Sequence, residues 1–389
     1  MEILVEMKKV FMEKFGRAAS QAYFSPGRVN LIGEHTDYNG GHVFPCAISL
    51  GTYAVAAKRS DAQVRLYSMN LPQSGIVTVP GAQGLNYEAG RDWANYPLGV
   101  IRMLEDAGYP VGTGLDIVFY GTLPNGAGLS SSASIEVLMA VILDDLFRWG
   151  LDRITLVRLA QKAENQFVGV NCGIMDQFAV GMGKKDCAIL LDCNTLDYRY
   201  SRLALEGCSI VITNTNKKHS LGASKYNERR SQCEAALAQL QQVKPIQSLG
   251  ELTDEEFDAL AGHISDPVER RRARHAVYEN QRTLQAVAAL EQHNLAAFGR
   301  LMNASHVSLR DDYEVTGEEL DTLAELAWQQ DGVIGSRMTG AGFGGCTVSL
   351  VRDEALPAFQ RNIASAYAKK IGYAPDFYIA SIAGGAGKI

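Results

Sequence analysis

The sequence lacks the features that mark membrane, secreted and zinc-binding proteins. No apolar run is long enough to span a bilayer, and Glu2 and Glu6 stand where a secretory signal peptide needs basic residues. The seven cysteines are scattered, odd in number and include no C-x-x-C pair. This pattern argues against a disulfide framework or a zinc site. We therefore expect a cytoplasmic protein with reduced thiols.

Excess basic charge is also missing. The formal net charge of the 389 residues is −6, which leaves no large positive field for nucleic acid. The arginine-rich run at 270–274 has a helical pattern and is predicted to be a solvated face. We expect neither a nucleic-acid nor a membrane partner. Nothing in the sequence calls for an obligate protein partner, which is compatible with a monomer.

Several common catalytic motifs are absent. The sequence has no G-x-x-x-x-G-K-[ST], no H-R-D or D-F-G, and no G-x-S-x-G. No G-x-G-x-x-G follows an early strand, which weakens a dinucleotide-binding interpretation. These absences exclude the usual P-loop NTPases, protein kinases and serine hydrolases.

The most informative segment present is 124–134, which reads PNGAGLSSSAS. It follows a strand-like run at 115–120 and precedes an apolar stretch at 135–149 that is predicted to be helical. A loop between a strand and a helix turns free backbone N–H groups and the helix dipole toward an anion. The segment predicts a nucleotide-phosphate loop, and a flexible connection with a serine helix cap is the alternative.

A second segment, 23–38, concentrates polar side chains between a strand-like start and a turn at 39–41. Arg28, Asn30, Glu34, His35 and Asp37 fall within ten residues. Together they exceed what a polar turn needs, so the segment is predicted to form part of a site.

Two carboxylates further along the chain are ambiguous by themselves. Glu164 lies beside the apolar face of a predicted helix at 155–168, and spacing alone favours a solvated flank over a metal ligand. Asp176 falls in the first turns of another helix, where a lone aspartate is more often structural than catalytic.

Strand and helix patterns are mixed and do not strictly alternate, which predicts an α+β fold. We expect two domains, 1–200 and 201–389, and a loose glycine-rich tail. A polar segment at 194–201 is predicted between strands 187–191 and 208–213. Other strands are predicted at 43–50, 52–58, 63–69, 75–80, 346–350 and 377–380, and other helices at 3–15, 96–107, 222–243, 267–290, 294–303 and 317–329.

Three segments together resemble a known family. Residues 27–38, GRVNLIGEHTDY, are similar to the galactokinase signature. Residues 124–134 resemble the second motif of the wider superfamily of galacto-, homoserine, mevalonate and phosphomevalonate (GHMP) kinases, and residues 338–345, MTGAGFGG, resemble its third. The order and spacing match over essentially the whole chain. One departure is Asn125 and Ala127, where many members have glycine.

The resemblance implies a two-domain GHMP kinase fold with the active site between the domains. The N-terminal half would resemble domain 2 of ribosomal protein S5, and the C-terminal half would be ferredoxin-like. The implied reaction is ATP-dependent phosphorylation of the C1 hydroxyl of α-D-galactose to α-D-galactose 1-phosphate, a step of galactose metabolism by the Leloir pathway. ATP and Mg²⁺ are the implied cofactors, with D-galactose and MgATP as the binding partners.

The resemblance also carries roles onto individual positions. It implies Asp176 as the catalytic base, with the cation Arg28 beside it. The implied sugar-binding residues are Glu34, His35, Thr36, Asp37, Gly173 and Tyr226. The implied nucleotide contacts are Ser68, Gly126, Ala127, Gly128, Leu129, Ser130, Ser131 and Ser132, and the implied magnesium contacts are Ser132 and Glu164.

Two other functions are compatible with the same motifs. An N-acetylgalactosamine 1-kinase would share the first motif, and the sequence does not show how much room surrounds the C2 substituent of the sugar. A galactose- and ATP-binding regulator without turnover is the second alternative. The presence of Arg28, Asp176 and Ser132 argues against it.

Overall fold

The computed structural model describes residues 2–124, 126–203, 205, 207–217 and 222–389. Asn125, the departure noted in the second motif, lies outside the described residues. Helices and strands follow one another without strict alternation, which confirms the α+β class. Within the described residues, no helix is both long and apolar enough to cross a membrane.

The described strands form three sheets. The strands are β1 (Gln21–Asn30), β2 (His42–Val43), β3 (Pro45–Lys58), β4 (Val64–Ser68), β5 (Val77–Val79), β6 (Leu115–Gly121), β7 (Cys187–Asp192), β8 (Tyr198–Arg202), β9 (Cys208–Asn214), β10 (Val333–Thr339), β11 (Cys346–Arg352), β12 (Asp376–Ala380) and β13 (Gly387–Lys388). The strand orders in the three sheets are β13-β1-β3-β6-β4-β5, β10-β11-β9-β12 and β2-β7-β8.

Helices pack against these sheets and share hydrophobic clusters with their strands. They are α1 (Glu2–Phe15), α2 (Asn95–Asp106), α3 (Ser131–Phe147), α4 (Arg153–Lys162), α5 (Met175–Met182), α6 (Gly222–Leu240), α7 (Asp254–Leu260), α8 (Pro267–Glu291), α9 (Leu295–Ser308), α10 (Glu318–Trp328) and α11 (Leu356–Ile371). Short π-helical segments, Ala163–Val168 and Leu309–Tyr313, extend α4 and α9.

Hydrophobic clusters cover both faces of the six-stranded sheet. Successive side chains of a strand point to opposite faces, so one strand contributes to both clusters. Ala54 and Ala56 of β3 face the cluster that contains α2 and α3. Val55 and Ala57 face the cluster that contains α1. Strand β1, which carries Arg28, pairs with β3, and α3 packs on one face of the same sheet. Arg28 and the start of α3 thus belong to neighbouring layers of one packed unit.

Several sequence predictions were wrong in detail. The predicted polar segment 194–201 contains most of β8. The strand β10, which the sequence did not predict, includes the first two residues of the third motif, 338 and 339. The predicted solvated face at 270–274 includes Arg272, which is buried and donates to the carbonyl of Asp312. Helical periodicity predicted this helix correctly. It could not predict the burial of Arg272, because the carbonyl that accepts its hydrogen bond belongs to a residue 40 positions further along the chain.

The glycine-rich tail is not loose. Gly387 and Lys388 pair antiparallel with Phe24 and Tyr23 of β1, and the backbone N–H of Ile389 donates to the carbonyl of Ala22 at 3.0 Å. Residues 387–389 therefore lie along β1, at one edge of the six-stranded sheet. A division into 1–200 and 201–389 stays a prediction.

Candidate active site

The three motifs meet at a cavity of about 270 Å³. Strand β1, the segment after it, the start of α3 and the segment before α5 supply most of its wall. The predicted site residues that line the cavity are Arg28, Glu34, His35, Asp37, Gly128, Leu129, Ser130, Ser131, Ser132, Glu164, Gly173, Asp176 and Tyr226.

Arg28 and Asp176 form a bidentate ion pair at this cavity. Nε of Arg28 donates to Oδ1 of Asp176, and Nη2 to Oδ2, both at 2.8 Å. A register shift between Pro26 and Gly27 in β1 changes the direction of the strand just before Arg28. The Arg28 side chain is almost fully buried, whereas 28% of the Asp176 side chain is exposed. The carboxylate is therefore both held in position and accessible from the cavity.

The Gly/Ser loop, within the segment 124–134, contacts Arg28 of the same ion pair. Nη1 of Arg28 donates to the carbonyl of Gly128 at 2.6 Å, and the backbone N–H of Arg28 donates to the carbonyl of Leu129 at 3.2 Å. Helix α3 begins at Ser131, directly after the loop. Its N-terminal N–H groups and dipole end are therefore at the cavity.

A serine cap does not explain this loop. Ser130 occupies the N-cap position with a left-handed φ of 61°, but its side chain makes no capping hydrogen bond. Its Oγ is buried and has no hydrogen-bond partner among the described residues. A buried polar atom without a partner calls for an explanation. A ligand that occupies the cavity would supply that partner.

Glu34 faces the cavity from a buried position. Its Oε1 accepts from the backbone N–H of Gly340 and its Oε2 accepts from the side-chain amide of Asn30. Burial raises the pKa of Glu34, and the nearby Arg337 and Arg28 guanidinium groups oppose that rise. These donors fix the orientation of the Glu34 carboxyl group at the wall of the cavity.

Asp37 lies against the segment that precedes α5. Burial and then the charge of Asp176 raise the pKa of Asp37 to about 7. A Cβ atom added at Gly173 would lie only 1.9 Å from Oδ2 of Asp37, so any larger residue would displace this carboxyl group. Gly173 thus allows close contact between the two sides of the cavity.

The other predicted sugar-binding residues have different surroundings. Nδ1 of His35 lies 2.7 Å from Oη of Tyr38, and Nε2 lies 3.2 Å from the carbonyl of Ala341. The Tyr226 ring, from α6, is 5.7 Å from the His35 ring. Oγ1 of Thr36 is within 2.9 Å of the carbonyls of Gly33 and His42, and Thr36 does not line the cavity.

Comparison with known proteins places this geometry in a family. Residues 9–58 match the galactokinase galactose-binding signature, residues 95–184 match the GHMP kinases N terminal domain, and residues 286–369 match the GHMP kinases C terminal domain. The chain is 58% identical to the galactokinase of Clostridium beijerinckii and 59% identical to that of Clostridium acetobutylicum, in both cases over 100% of both chains. The chain belongs to the galactokinase family.

Solved structures agree with this assignment. The Lactococcus lactis galactokinase complexed with galactose is 49% identical, covers 100% of both chains and superposes with a TM-score of 0.96. The Methanococcus jannaschii mevalonate kinase is 17% identical, with 94% of this chain and 99% of that chain covered and a TM-score of 0.66. The second match supports the GHMP kinase fold alone.

In this galactokinase-family chain, Glu164 is not the solvated flank that helical spacing favoured. It is buried in the π-helical segment, where burial and then the charge of Asp176 raise its pKa, while a hydrogen bond from Ser132 opposes the rise. Nε2 of Gln177 donates to its Oε2 at 2.6 Å. A carboxylate and a hydroxyl are thus in contact beside the N-terminus of α3.

These residues fit a magnesium ion that is held mainly by phosphate oxygens and water. In the part of the chain that the structure describes, no group of three or more His, Cys, Asp or Glu side chains could hold a metal. Mg²⁺ commonly uses one or two protein oxygen ligands together with nucleotide phosphates. Glu164 and Ser132 supply such oxygens, and the buried Oε1 of Glu136 nearby lacks a partner among the described residues.

Three predicted nucleotide contacts do not line the cavity. Ser68 is buried at the end of β4, paired in register with Phe119 of β6. Ala127 is buried in a hydrophobic cluster with Leu123 and Leu129, and Gly126 precedes it. Their contacts with a nucleotide stay predictions.

Sequence reasoning missed the side chains of α8 that hold the segment after β1, residues 33–42. Oε1 of Glu279 accepts from the backbone N–H of Gly33 at 3.0 Å, and Nε2 of His275 donates to the carbonyl of Glu34 at 3.1 Å. Asn280 accepts from the N–H of His42 at 2.8 Å. The sequence did contain one indication of this role. His275 and Glu279 are four residues apart, so they lie on one face of the helix together with buried apolar residues.

Proposed function

We propose that this chain transfers the γ-phosphoryl group of ATP to the C1 hydroxyl of α-D-galactose, which gives α-D-galactose 1-phosphate and ADP. The observation that carries the proposal is the Arg28–Asp176 pair, because it lies in one cavity with both the Gly/Ser loop and the Glu34 and Asp37 carboxyl groups. The cavity thus offers a base for the attacking hydroxyl, backbone N–H groups for the phosphates and carboxyl groups for the sugar.

Asp176 is suited to accept the proton of the attacking hydroxyl. A sugar hydroxyl is a poor nucleophile, and a carboxylate within hydrogen-bond reach can take its proton as transfer proceeds. Arg28 fixes the orientation of the Asp176 side chain through two charge-assisted hydrogen bonds. Phosphoryl transfer depends chiefly on positioning and charge stabilisation, so a rigid base fits this chemistry.

Binding of the two substrates divides between two sides of the cavity. The N-terminus of α3 and residues 128–132 face the phosphates, since free backbone N–H groups and the helix dipole favour an anion there. Glu34, Asp37 and Tyr226 surround the sugar. Buried groups aimed at particular hydroxyls would be left unpaired by an epimer, which disfavours glucose.

Glu164 and Ser132 would hold Mg²⁺ that accompanies the nucleotide. The ion would neutralise charge on the phosphate oxygens during transfer. The contact between these two side chains, together with the buried position of Glu164, supports this role.

The test is ADP release by the purified protein with MgATP and a panel of galactose, N-acetylgalactosamine, glucose and mevalonate. Turnover with galactose, and little with the other three, is expected. Preference for N-acetylgalactosamine would refute the galactose assignment. Absence of ADP in every reaction, with galactose still raising the melting temperature, would identify a regulator without turnover.

A further inference from the structure

A series of hydrogen-bonded side chains leads from residues 33–38, here called the sugar-binding segment, into the core. Nδ1 of His35 is 2.7 Å from Oη of Tyr38, which is 2.8 Å from Oη of Tyr313. Oη of Tyr313 is in turn 3.2 Å from Sγ of Cys233 on α6. Tyr313 and Cys233 are buried, so bulk water does not compete for these contacts.

The other ring nitrogen of His35 fixes the direction of every bond in the series. Nε2 lies 3.2 Å from the carbonyl oxygen of Ala341, and a carbonyl oxygen can only accept, so Nε2 carries the hydrogen. Burial and the neighbouring His275 lower the pKa of His35 to about 3, so the ring is neutral. Nδ1 then accepts from Tyr38, Tyr38 accepts from Tyr313, and Tyr313 accepts from the Cys233 thiol.

Both ring nitrogens therefore have protein partners, and the ring joins two segments that are far apart in sequence. A parallel link lies beside it, because the N–H of Gly340 donates to Oε1 of Glu34. The third motif is also pressed against the phosphate loop, since a Cβ at Gly340 would lie 2.8 Å from the carbonyl of Gly128. The links at Gly340 and Ala341 thus connect the sugar side of the cavity with its nucleotide side.

We propose that His35 is a positioning residue, which as the Nε2–H tautomer ties the sugar-binding segment to the loop 340–345 instead of binding the sugar through its ring. Tyr38, itself held by Tyr313, maintains this tautomer by donating to Nδ1. The inference rests on the proposed function, because the positions that the link fixes are those of Glu34 and Asp37. It assigns His35 a role different from the sugar-binding one that family resemblance implies.

The tautomer can be measured directly. In ¹⁵N-histidine-labelled protein, long-range ¹H–¹⁵N correlation spectra distinguish the Nδ1–H, Nε2–H and doubly protonated forms of the seven histidines, and His35→Gln identifies the His35 signals. We expect Nε2–H at neutral pH, with the same tautomer after galactose is added. In Tyr38→Phe, the Nδ1 resonance should move to the position of a nitrogen that accepts no hydrogen bond. An Nδ1–H or doubly protonated ring in the wild-type protein would overturn the proposal.

Kinetics then separate positioning from general destabilisation. Tyr38→Phe and Tyr313→Phe should raise KM for galactose about fivefold, the effect of one net hydrogen bond, and leave KM for ATP unchanged. Tyr367→Phe is the matched control, because its buried hydroxyl donates to the carbonyl of Thr215 away from the cavity. It should lower the melting temperature without changing either KM. An equal rise in KM for galactose in all three variants would overturn the proposal.

His35 itself offers a conservative rescue. His35→Gln retains one donor and one acceptor near the two ring-nitrogen positions, so its KM for galactose should lie closer to wild type than that of His35→Leu. Equal KM values in these two variants would contradict the proposal. Failure to phosphorylate galactose would refute the proposed function instead, and would leave the tautomer measurement interpretable.

Discussion

At the scale of single residues, the carboxyl groups of the cavity differ in how their charge is compensated. Asp176 has two hydrogen bonds from one guanidinium. Asp37 is nearby, and burial followed by the Asp176 charge raises its pKa to about 7. The same cluster therefore contains one carboxyl group that a guanidinium holds in position, Asp176, and one that is costly to ionise, Asp37.

Asp37 should make stability depend on pH. As pH rises from about 4 to about 7, the unfolded chain loses the Asp37 proton while the folded chain retains it, so the wild type becomes less stable. Asp37→Asn removes this effect. Relative to the wild type, the variant should gain at least about 1.4 kcal/mol in the free energy of unfolding between pH 5 and pH 8. Urea denaturation without ligands measures this, and a constant difference across that pH range would contradict it.

Replacement of the proposed base should separate catalysis from binding. Asp176→Asn keeps the shape of the side chain but removes its charge, so kcat should fall by about 10²- to 10⁴-fold. Titration calorimetry should show dissociation constants for galactose and ATP that change far less than kcat does. Near-normal turnover would remove Asp176 from the role of base.

A methyl group at Gly173 should damage the sugar site. In Gly173→Ala, the added Cβ would overlap the Asp37 carboxyl group, and the shift that relieves the overlap costs about 1–3 kcal/mol. We expect KM for galactose to rise about tenfold or more. Gly112→Ala is the control, because an added Cβ there meets nothing within 4 Å. Equal kinetics in the two variants would contradict the close contact.

At the scale of elements, side chains of α8 hold part of the cavity wall in place, although no motif in the sequence of α8 predicts this role. Glu279 accepts backbone hydrogen bonds from the sugar-binding segment and is also contacted by Oγ of Ser305 on α9. Burial alone would raise the pKa of Glu279, but nearby groups, chiefly the positive charge of Arg282, hold it at about 2. A helix distant in sequence thus fixes residues 33 and 34 through one charged side chain.

Neutralising that side chain should loosen the segment. Glu279→Gln weakens charge-assisted hydrogen bonds, each worth about 1.5–3 kcal/mol, so both stability and the affinity for galactose should fall. Glu291→Gln, at the exposed end of the same helix, loses only a surface ion pair with Arg199 and should cost at most about 1 kcal/mol. Chemical denaturation and KM for galactose test the pair. Equal effects would show that Glu279 has no special role.

Sequence patterns predicted the contiguous parts of the site and missed the rest for a physical reason. Residues such as Arg28, Glu34 and Asp37 stand together in one polar segment, so their concentration was visible. Glu279, Arg337 and Glu136 are single polar residues in otherwise ordinary helices or strands. Only tertiary packing brings the first two against Glu34 and the third against Glu164. Likewise, the glycines of the tail suggested mobility because local sequence does not encode pairing with β1.

At the scale of the whole molecule, the cavity is assembled from distant parts of the chain. Its wall is formed by Tyr226 and by some of the residues in the segments 28–37, 128–132, 164–176 and 340–341. Ligands that contact several of these segments bind only the folded state, and so they shift the folding equilibrium by mass action.

Substrate should therefore stabilise the folded protein specifically. Galactose at one hundred times its dissociation constant should add about 2.7 kcal/mol to the free energy of unfolding, and an equal concentration of glucose should add little. Differential scanning calorimetry would record the difference as a rise in melting temperature. Equal stabilisation by both sugars would contradict the proposed specificity.

The pairing of β13 with β1 has a consequence for aggregation. Strand β13 lies beside β1, the strand that carries Arg28, so Tyr23 and Phe24 are paired within the same chain. If residues 387 and 388 came away from β1, every cavity residue would still be present, but the edge of the six-stranded sheet would be open to pairing with a second chain. A short strand outside the cavity wall therefore protects the strand that carries Arg28 from edge-to-edge association.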